Sequence, residues 1–307
     1  VRFIYIEEEP GRGADAPAGA GRPTAAFLNQ YIETVDAVRQ AFEHVRYFKE
    51  VPVMAMNELA EQRIILLTET VGVLDYLYDI RLHSDYTFQH SLNVAIIAGI
   101  IGKWRNYKGV ELKDIIMAAL LHDIGKLSVP LAILDKPAKL SPCGFEIVKQ
   151  HSREGYRLVK DSGQLAPCIK LGILQHHERL DGTGYPAGLT GDKIHAYARI
   201  IAIADIYDAM TSDRTYRRRL TPLAALDSIA GQMYGQLETS VCLTFLENAK
   251  NHFTGNHVLL SNGERAKIII LNNRNRNWTK PVVCIANGTL LDLEEENISI
   301  VELLQEG

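Results

Sequence analysis

Apolar residues recur at three- and four-residue intervals along most of the chain, which is the spacing of amphipathic α-helices. The repeat runs over residues 28–45, after the candidate N-cap Thr24, and again over residues 60–78, beyond Pro52. The pattern therefore predicts two long helices within residues 24–83. Because each is shorter than four heptads, we expect them to pack onto the domain that follows, with a homodimer through these helices as the alternative.

The helical pattern continues to residue 253, and the end of the chain changes to strands. Asn262-Gly263 and Asn287-Gly288 each separate two short apolar segments, which is the sequence signal of a tight β-hairpin. The sequence thus predicts a mainly α fold, a helical bundle preceded by two long helices and followed by a small β module at residues 254–307. Bundle helices are predicted over residues 87–104, 112–123, 142–161, 166–177, 196–210, 222–236 and near 241–251.

The first 23 residues differ from the rest of the chain in composition. The sequence begins with Val1, and residues 10–23 are mostly Gly, Ala and Pro, which cannot pack a core. We therefore expect residues 1–23 to be a truncated N-terminal remnant and a linker. The sequence shows neither a signal peptide nor an apolar run long enough for a membrane-spanning helix.

Composition and charge exclude several classes of protein. The 307 residues are 47% hydrophobic and 23% charged, the usual globular mix, so wholesale disorder is excluded. A net charge of −4 argues against a nucleic-acid polymer as partner, although a local basic patch can hold a small anionic ligand. The four scattered cysteines form no C-x-x-C pair, which is typical of a reduced protein, so we expect a cytoplasmic location.

Five of the ten histidines are spaced by about one helix plus one connection. Successive helices of a bundle can therefore each direct an imidazole into a shared centre, where two aspartates would join them. Imidazole and carboxylate without thiolate are the ligands expected for iron, manganese or zinc. For any single histidine the alternative is a buried, hydrogen-bonded core residue. The candidate metal ligands are His90, His122, Asp123, His151, His176, His177 and Asp205.

Three features favour the metal site. The pair His122-Asp123 ends an apolar helix, with Gly125 as a candidate left-handed helix stop. His176 continues the apolar face of its helix. Asp205 lies in a helix that is apolar almost all round, where a buried carboxylate needs a cation or several donors. An Asp–Arg pair would also satisfy Asp205, but it would leave the five histidines unexplained.

A glycine-rich loop and several basic residues complete the candidate site. Glycines let the loop backbone approach a ligand closely, and Tyr185 offers a face on which a base can stack; the alternative is an ordinary Asp-Gly turn. Three basic residues are placed to meet a phosphate at the metal centre, whereas Arg218 and Arg219 are expected at a solvated helix end. The candidate substrate contacts are Lys126, Asp181, Gly182, Gly184, Tyr185, Pro186, Arg214 and Arg217.

These segments resemble the HD-GYP domain, the bacterial branch of the HD phosphohydrolases that hydrolyses cyclic di-GMP. The resemblance covers residues 84–253 and implies that the seven His and Asp candidates bind metal, with Asp123 bridging two ions. It also implies that Lys126, Arg214 and Arg217 grip phosphate. Some members hold a third metal through a glutamate where this chain has Tyr86, so two metals are expected. The matching motifs are His122-Asp123-Ile124-Gly125-Lys126, His176-His177-Glu178, Asp181-Gly182-Thr183-Gly184-Tyr185-Pro186 and residues 204–214.

The activity that the resemblance implies is a metal-dependent cyclic di-GMP phosphodiesterase. A hydroxide bridging two divalent ions, iron or manganese, would attack the 3'-5' phosphodiester, with Asp123 and Lys126 as the catalytic residues. The product would be linear pGpG, with further cleavage to GMP left open. Two alternatives are a receptor that binds the nucleotide without turnover, and an enzyme for another phosphoester such as a mixed cyclic dinucleotide or a mononucleotide.

Overall fold

The computed structural model describes residues 23–80, 86–134, 136, 140–213, 219–271 and 278–304. The expected remnant and linker at residues 1–23 thus lie almost entirely outside the described residues. No helix in the described ranges combines the length and the apolar character needed to cross a membrane.

The N-terminal part begins with the long helix that the sequence predicts. Helix α1 (Ala25–Phe48) starts after Thr24, whose side chain accepts a hydrogen bond from the Phe27 amide, so the predicted N-cap is confirmed. Most apolar positions of its repeat are buried, and the helix ends at Lys49 in the left-handed conformation.

The prediction of a second long helix is wrong, because the segment after Pro52 is divided. It forms α2 (Val53–Leu59), a π-helical turn (Ala60–Ile64), α3 (Ile65–Leu67) and, after a break, α4 (Val73–Asp79). The Thr68 hydroxyl donates to the Ile65 carbonyl and Gly72 adopts a φ of 75°, so the backbone leaves the helical path between α3 and α4. Most of the predicted apolar face is still buried, but Val71, which lies in the break, is 65% exposed.

The bundle that carries the candidate site is built around one buried helix. Its helices are α5 (Tyr86–Trp104), α6 (Gly109–Leu121), α7 (Leu131–Leu134), α8 (Pro142–Lys149), α9 (His151–Val159), α10 (Pro167–Gln175) and α11 (Ala196–Thr211), with 3-10 segments at Ile124–Ser128 and Gly191–Lys193. Helix α5 is buried on every side over most of its length and packs against α1, α6 and α11. Helix α10 packs against α6, α9 and α11, so the ends of several helices meet in one place.

The sequence predicts one helix over residues 142–161, but the structure has two. Helix α8 ends at Lys149, Gln150 forms a turn, and His151 begins α9. This turn brings Nδ1 of His151 to 2.7 Å from the carbonyl oxygen of Val148, so the end of α8 fixes the ring. The other predicted helices of the bundle are confirmed to within a few residues.

Helices α12 (Pro222–Gln232) and α13 (Thr239–Phe253) lead into the predicted β module. Its strands are β1 (His257–Leu260), β2 (Arg265–Ile270), β3 (Val282–Ile285), β4 (Leu290–Asp292) and β5 (Ile300–Leu304), and they form an antiparallel sheet in the order β4-β3-β2-β1-β5. The two predicted hairpins are confirmed, with positive φ at Gly263 and Gly288. Strand β5, which pairs with β1, was not predicted, because no hairpin signal precedes it.

Two sets of polar contacts attach the sheet to the helices. The backbone amides of Trp278 and Thr279 donate to the two carboxylate oxygens of Asp227 on α12. The side chain of Asn256, just before β1, donates to Asp75 on α4 at 3.1 Å. The sheet is therefore attached both to the N-terminal helices and to the helices that follow the bundle.

Candidate metal centre

The structure brings the seven candidate metal ligands together. Helices α5 and α11 each contribute one ligand from within the helix. The other ligands lie just after the ends of α6 and α10 and at the start of α9. The ligand atoms form two groups, and within each group they all lie within 4.8 Å of one another. The first group is Asp123, His151, His176 and His177, and the second is His90, His122 and Asp205.

The turn that follows Asp123 is determined by close packing. A Cβ atom on Gly125 would lie 1.9 Å from the carbonyl oxygen of His151 and 2.4 Å from the amide nitrogen of Gly155. Only glycine fits, so the 3-10 segment can lie directly on the first turn of α9. The predicted left-handed helix stop is wrong, since Gly125 does not have a positive φ. Glycine is needed here for the contact with α9.

Three imidazoles are oriented by the backbone of the helix that precedes them. The Nδ1 atoms of His122, His151 and His176 lie 2.6–2.7 Å from the carbonyl oxygens three residues earlier in the chain. A carbonyl only accepts hydrogen bonds, so each Nδ1 carries a proton, and in the neutral form of each ring Nε2 has the lone pair. Fixing the tautomer in this way prepares Nε2 as a metal ligand.

His90 is oriented by a carboxylate. Its Nδ1 lies 2.6 Å from Oδ2 of Asp208, which is 2% exposed, and its ring is stacked on the ring of Tyr86 one helical turn earlier. Hydrogen bonds with Asp205 and Asp208 outweigh the effect of burial and raise the pKa of His90 to about 9. Sequence reasoning missed the role of Asp208, although its position one turn after Asp205 on an apolar helix is a usable signal.

Asp123 lies between the two groups of ligands. Its Oδ2 is 3.5 Å from Nε2 of His90 and 3.3 Å from Nε2 of His122, while its Oδ1 is 3.3 Å from Nε2 of His151. Burial opposes the charge, but the Lys126 ammonium and His122 hold the pKa of Asp123 well below its usual range. The centre therefore contains an ionised carboxylate with one oxygen towards each group.

The imidazoles of the first group are uncharged near neutral pH. Burial lowers the pKa of His176 and His177 well below the usual range. It also outweighs the Asp123 carboxylate at His151 and lowers that pKa to about 4. Neutral imidazoles offer lone pairs, which is the form that binds metal ions.

Buried polar atoms without a hydrogen-bond partner indicate whether a metal ion fits at the centre. Among the described residues, Nε2 of His122 and Oδ1 of Asp123 are buried without a hydrogen-bond partner. A cation would satisfy both, since each offers a lone pair. Five imidazoles and two carboxylates also form a donor set suited to divalent transition metals, with His90, whose pKa is raised, releasing its Nε2 proton when a metal binds. The residues present therefore fit the metal ions that the sequence predicts.

Lys126 lies at the rim of the centre. Its ammonium donates to Oδ2 of Asp123, and its side chain is 27% exposed. The candidate phosphate contacts Arg214 and Arg217 lie outside the described residues, as does Arg218. Arg219 is not at a solvated helix end, because its guanidinium stacks 3.6 Å from the ring centroid of Tyr78 and donates to the Tyr78 carbonyl.

Hydrogen bonds to a buried carboxylate anchor the loop after α10. Glu178 is 3% exposed and accepts hydrogen bonds from the amides of Ala187 at 2.7 Å and Leu189 at 2.9 Å. Sequence reasoning gave Glu178 no role, although a charged residue next to paired histidines is a signal for one. Inside the loop, the Tyr185 ring packs on that of His177, with centroids 4.6 Å apart. The hydrogen bonds to Glu178 thus hold the loop so that the Tyr185 ring lies next to the metal ligands.

The remaining loop candidates shape the backbone. A Cβ on Gly184 would lie 2.4 Å from the amide nitrogen of Arg179, and Gly182 has a φ of 79°. The Pro186 carbonyl accepts a hydrogen bond from Arg153 at 2.8 Å. Asp181 is exposed, and its carboxylate accepts hydrogen bonds from Thr183 within the loop, so the structure does not bring this side chain to the ligand cluster.

Comparisons with known proteins identify a family for this chain. The family model of the HD domain matches residues 79–236, about half of the chain. Two curated relatives are a cyclic di-GMP phosphodiesterase of Pseudomonas aeruginosa, 30% identical over 247 residues, and 3'3'-cGAMP-specific phosphodiesterase 1 of Vibrio cholerae, 36% identical over 172 residues. The matches cover 80% and 55% of this chain, but 59% and 39% of the relatives, so the chain spans about half the length of these proteins.

A solved structure has a similar fold. It is that of an HDG"Y"P protein from Bdellovibrio bacteriovorus, with a TM-score of 0.59 and 18% sequence identity. The similarity covers 72% of this chain and 70% of that one. At this level of identity it supports the helical architecture described above.

Proposed function

The chain belongs to the HD domain family, in its HD-GYP branch, and we propose that it hydrolyses the phosphodiester bonds of cyclic di-GMP. The observation that carries the proposal is the position of Asp123, whose two carboxylate oxygens face two separate groups of imidazoles. A carboxylate in this position is suited to bridge two metal ions, and dinuclear sites favour in-line displacement at phosphorus.

The proposed cofactor is a pair of divalent transition-metal ions, iron or manganese, because the donors are imidazoles and carboxylates without thiolate. When bound, the two ions would lower the pKa of a water molecule and offset negative charge on the phosphoryl oxygens. Asp123 would be shared between the ions. One ion would be held by His151, His176 and His177, and the other by His90, His122 and Asp205.

The chain's own residues would bind and orient the substrate. The Lys126 ammonium is partly exposed beside Asp123, so it can also reach a phosphate oxygen at the centre. We propose that Arg214 and Arg217 add further charge for the phosphates. The Tyr185 ring, which packs on His177, would stack on a base of the substrate. The loop that presents Tyr185 would be shaped by Asp181, Gly182, Gly184 and Pro186.

The reaction would open the cyclic dinucleotide to linear pGpG. The second 3'-5' phosphodiester is chemically equivalent, so the same groups could cleave pGpG to GMP. We propose the cytoplasm as the location, because all four cysteines are unpaired in the described chain.

A second candidate substrate is a mixed cyclic dinucleotide. This is favoured by the Vibrio cholerae relative, whose name states that it is specific for 3'3'-cGAMP. Both substrates present the same phosphodiester to the metals, and they differ in the base that would stack on Tyr185. A receptor without turnover is less favoured, since all seven ligand positions are occupied by His or Asp.

Metal analysis and product chromatography on one anaerobically purified sample test the proposal. We expect about two ions per chain and conversion of cyclic di-GMP to pGpG. Replacing both His122 and Asp123 by Ala should abolish metal content and turnover together, whereas His44→Ala, an exposed histidine on α1, should change neither. Tight nucleotide binding without product would favour the receptor, and faster turnover of 3'3'-cGAMP would favour the mixed substrate.

A further inference from the structure

A buried hydrogen-bond chain joins helix α1 to the metal centre. It begins at Tyr31, which is fully buried and whose hydroxyl donates to Oδ1 of Asn93 on α5 at 2.6 Å. Tyr31 lies outside residues 79–236, the part that matches the HD domain. The contact therefore links the N-terminal part of this chain to the matched domain.

Asn93 extends the connection to α11 and back to α5. Its Nδ2 donates to Oδ1 of Asp208 at 2.8 Å, and Oδ2 of Asp208 lies 2.6 Å from Nδ1 of His90. Asn93 is 1% exposed and Asp208 2%, so bulk water does not compete for these groups. Three helices thus contribute to one continuous chain of side chains that ends at a candidate metal ligand.

The chemistry of the groups gives each bond a direction. Because the Tyr31 hydroxyl donates to the amide oxygen of Asn93, the amide nitrogen is turned towards Asp208. Carboxylate oxygens accept hydrogen bonds, so Asp208 receives hydrogen bonds from Asn93 and from Nδ1 of His90, with Ser212 as a more distant donor at 3.3 Å. His90 is therefore held with Nε2 towards Asp123 and Asp205.

We propose that Tyr31 is a positioning residue for the metal centre, which acts on His90 through Asn93 and Asp208; this inference rests on the proposed function. Direct outer partners of metal-binding histidines typically change metal affinity by about 10- to 100-fold when removed. Tyr31 lies two side chains further out than such a partner. Removing its hydroxyl is therefore expected to weaken metal binding by about three- to tenfold.

The test compares two single-hydroxyl deletions. Tyr31→Phe keeps the ring, which packs against Phe27, and removes the hydroxyl that donates to Asn93 and that also contacts the Gln89 side chain. Tyr207→Phe is the matched control, because the buried Tyr207 hydroxyl has no hydrogen-bond partner among the described residues. Affinity for Mn²⁺ is measured on metal-free proteins by competition with a chelating dye, and thermal unfolding of the same samples checks that they are folded.

We expect Tyr31→Phe to bind Mn²⁺ about three- to tenfold more weakly than wild type and Tyr207→Phe to bind it equally well. In an Asp208→Asn background, Tyr31→Phe should have little further effect, because the connection to His90 is already broken. This non-additivity would not be seen if Tyr31 served only to pack α1 on α5.

Two results would overturn the inference: equal Mn²⁺ affinities for Tyr31→Phe and Tyr207→Phe, or an undiminished effect of Tyr31→Phe in the Asp208→Asn protein. The proposed function has its own test: it fails if wild-type protein loaded with Mn²⁺ releases no product from cyclic di-GMP. The affinity comparison does not depend on turnover, so the two failures are distinguishable.

Discussion

His151 and His176 face each other across the candidate metal centre, with their Nε2 atoms 3.2 Å apart. Each ring directs Nδ1 at a backbone carbonyl, so in each ring the proton lies on Nδ1. Since burial lowers the pKa of both imidazoles, two unprotonated nitrogens face each other at neutral pH. Their lone pairs repel each other. A cation bound between them would remove this repulsion, so the folded protein favours metal binding.

Divalent metal should therefore stabilise the protein against heat. A ligand that binds only the native state adds about 2.7 kcal/mol to the free energy of unfolding at 100 times its Kd, which corresponds to a rise in Tm of about 5 °C. We expect Mn²⁺ to produce such a rise in metal-free wild type, and a much smaller one in His176→Ala. Calorimetry with and without Mn²⁺ measures both.

The control for this experiment is His44→Ala, which should show the full rise because His44 is exposed on α1. An equal gain in Tm for His176→Ala and wild type would contradict the assignment of His176 to the metal centre.

Gly125→Ala should damage both stability and metal binding. The new Cβ would overlap the carbonyl oxygen of His151, so the first turn of α9 must move and carry His151 with it. A loss of about 2–3 kcal/mol in the free energy of unfolding is expected from such overpacking, together with weaker Mn²⁺ binding. Urea unfolding of the metal-free protein and dye competition give the two quantities.

Gly231→Ala is the matched control for that substitution. Gly231 lies in α12 with no atom within 4 Å of the added Cβ, so alanine should be neutral or stabilising by up to about 1 kcal/mol. If both alanine variants behaved alike, the close contact between the Asp123 turn and α9 would have no energetic importance.

Glu178→Gln should loosen the loop that carries Tyr185. One of the two carboxylate oxygens that accept from Ala187 and Leu189 would become an NH₂ group, which cannot accept. A buried amide left without its acceptor costs about 1–3 kcal/mol, so kcat/KM for cyclic di-GMP should fall about tenfold, mainly through KM. Metal content should be unchanged, and Glu43→Gln, an exposed residue on α1, should behave like wild type. An unaltered KM would show that the hydrogen bonds between the loop and Glu178 do not affect substrate binding.

Asp75 should make stability depend on pH. Burial, together with the Asp79 charge, raises the pKa of Asp75 to about 7 despite the hydrogen bond from Asn256. The folded protein therefore holds a proton that the unfolded chain releases near pH 4, and this contribution to stability is lost as pH rises from about 4 through about 7. Its size is on the order of a few kcal/mol.

Asp75→Asn removes that titration and keeps an oxygen for Asn256. We expect the variant to be more stable than wild type at pH 8, with the advantage shrinking as pH falls to 5. Comparing the two proteins by urea unfolding at both pH values separates Asp75 from the other titrating groups. A difference in stability that is the same at pH 5 and pH 8 would contradict the raised pKa.

The convergence of the seven candidate ligands could be predicted from the spacing of the histidines, together with local signals at some of the ligands. His122 and Asp123 end an apolar helix, and Asp205 interrupts another. The contact that orients His90 leaves a weaker signal, because Asp208 and His90 are 118 positions apart. The packing of Gly125 on His151 likewise depends on how α9 approaches the Asp123 turn, which no local pattern encodes.

The errors in the predicted elements have a similar origin. The apolar repeat remains in phase from residue 60 to 78, so it conceals the break at Gly72, where the backbone turns while Leu67 and Leu74 stay buried. Strand β5 was missed because its pairing with β1 spans most of the module and is not a hairpin. In both cases tertiary contacts decided a feature that periodicity left ambiguous.

The burial of α5 on all sides has a practical consequence for any shortened version of the protein. Helix α1 covers one side of α5, where the rings of Phe42 and Phe88 meet edge to face, and α13 covers another. A fragment trimmed to residues 79–236 would leave these apolar surfaces in water and would tend to aggregate. Soluble material for biochemistry should therefore begin no later than Thr24 and extend beyond Phe253.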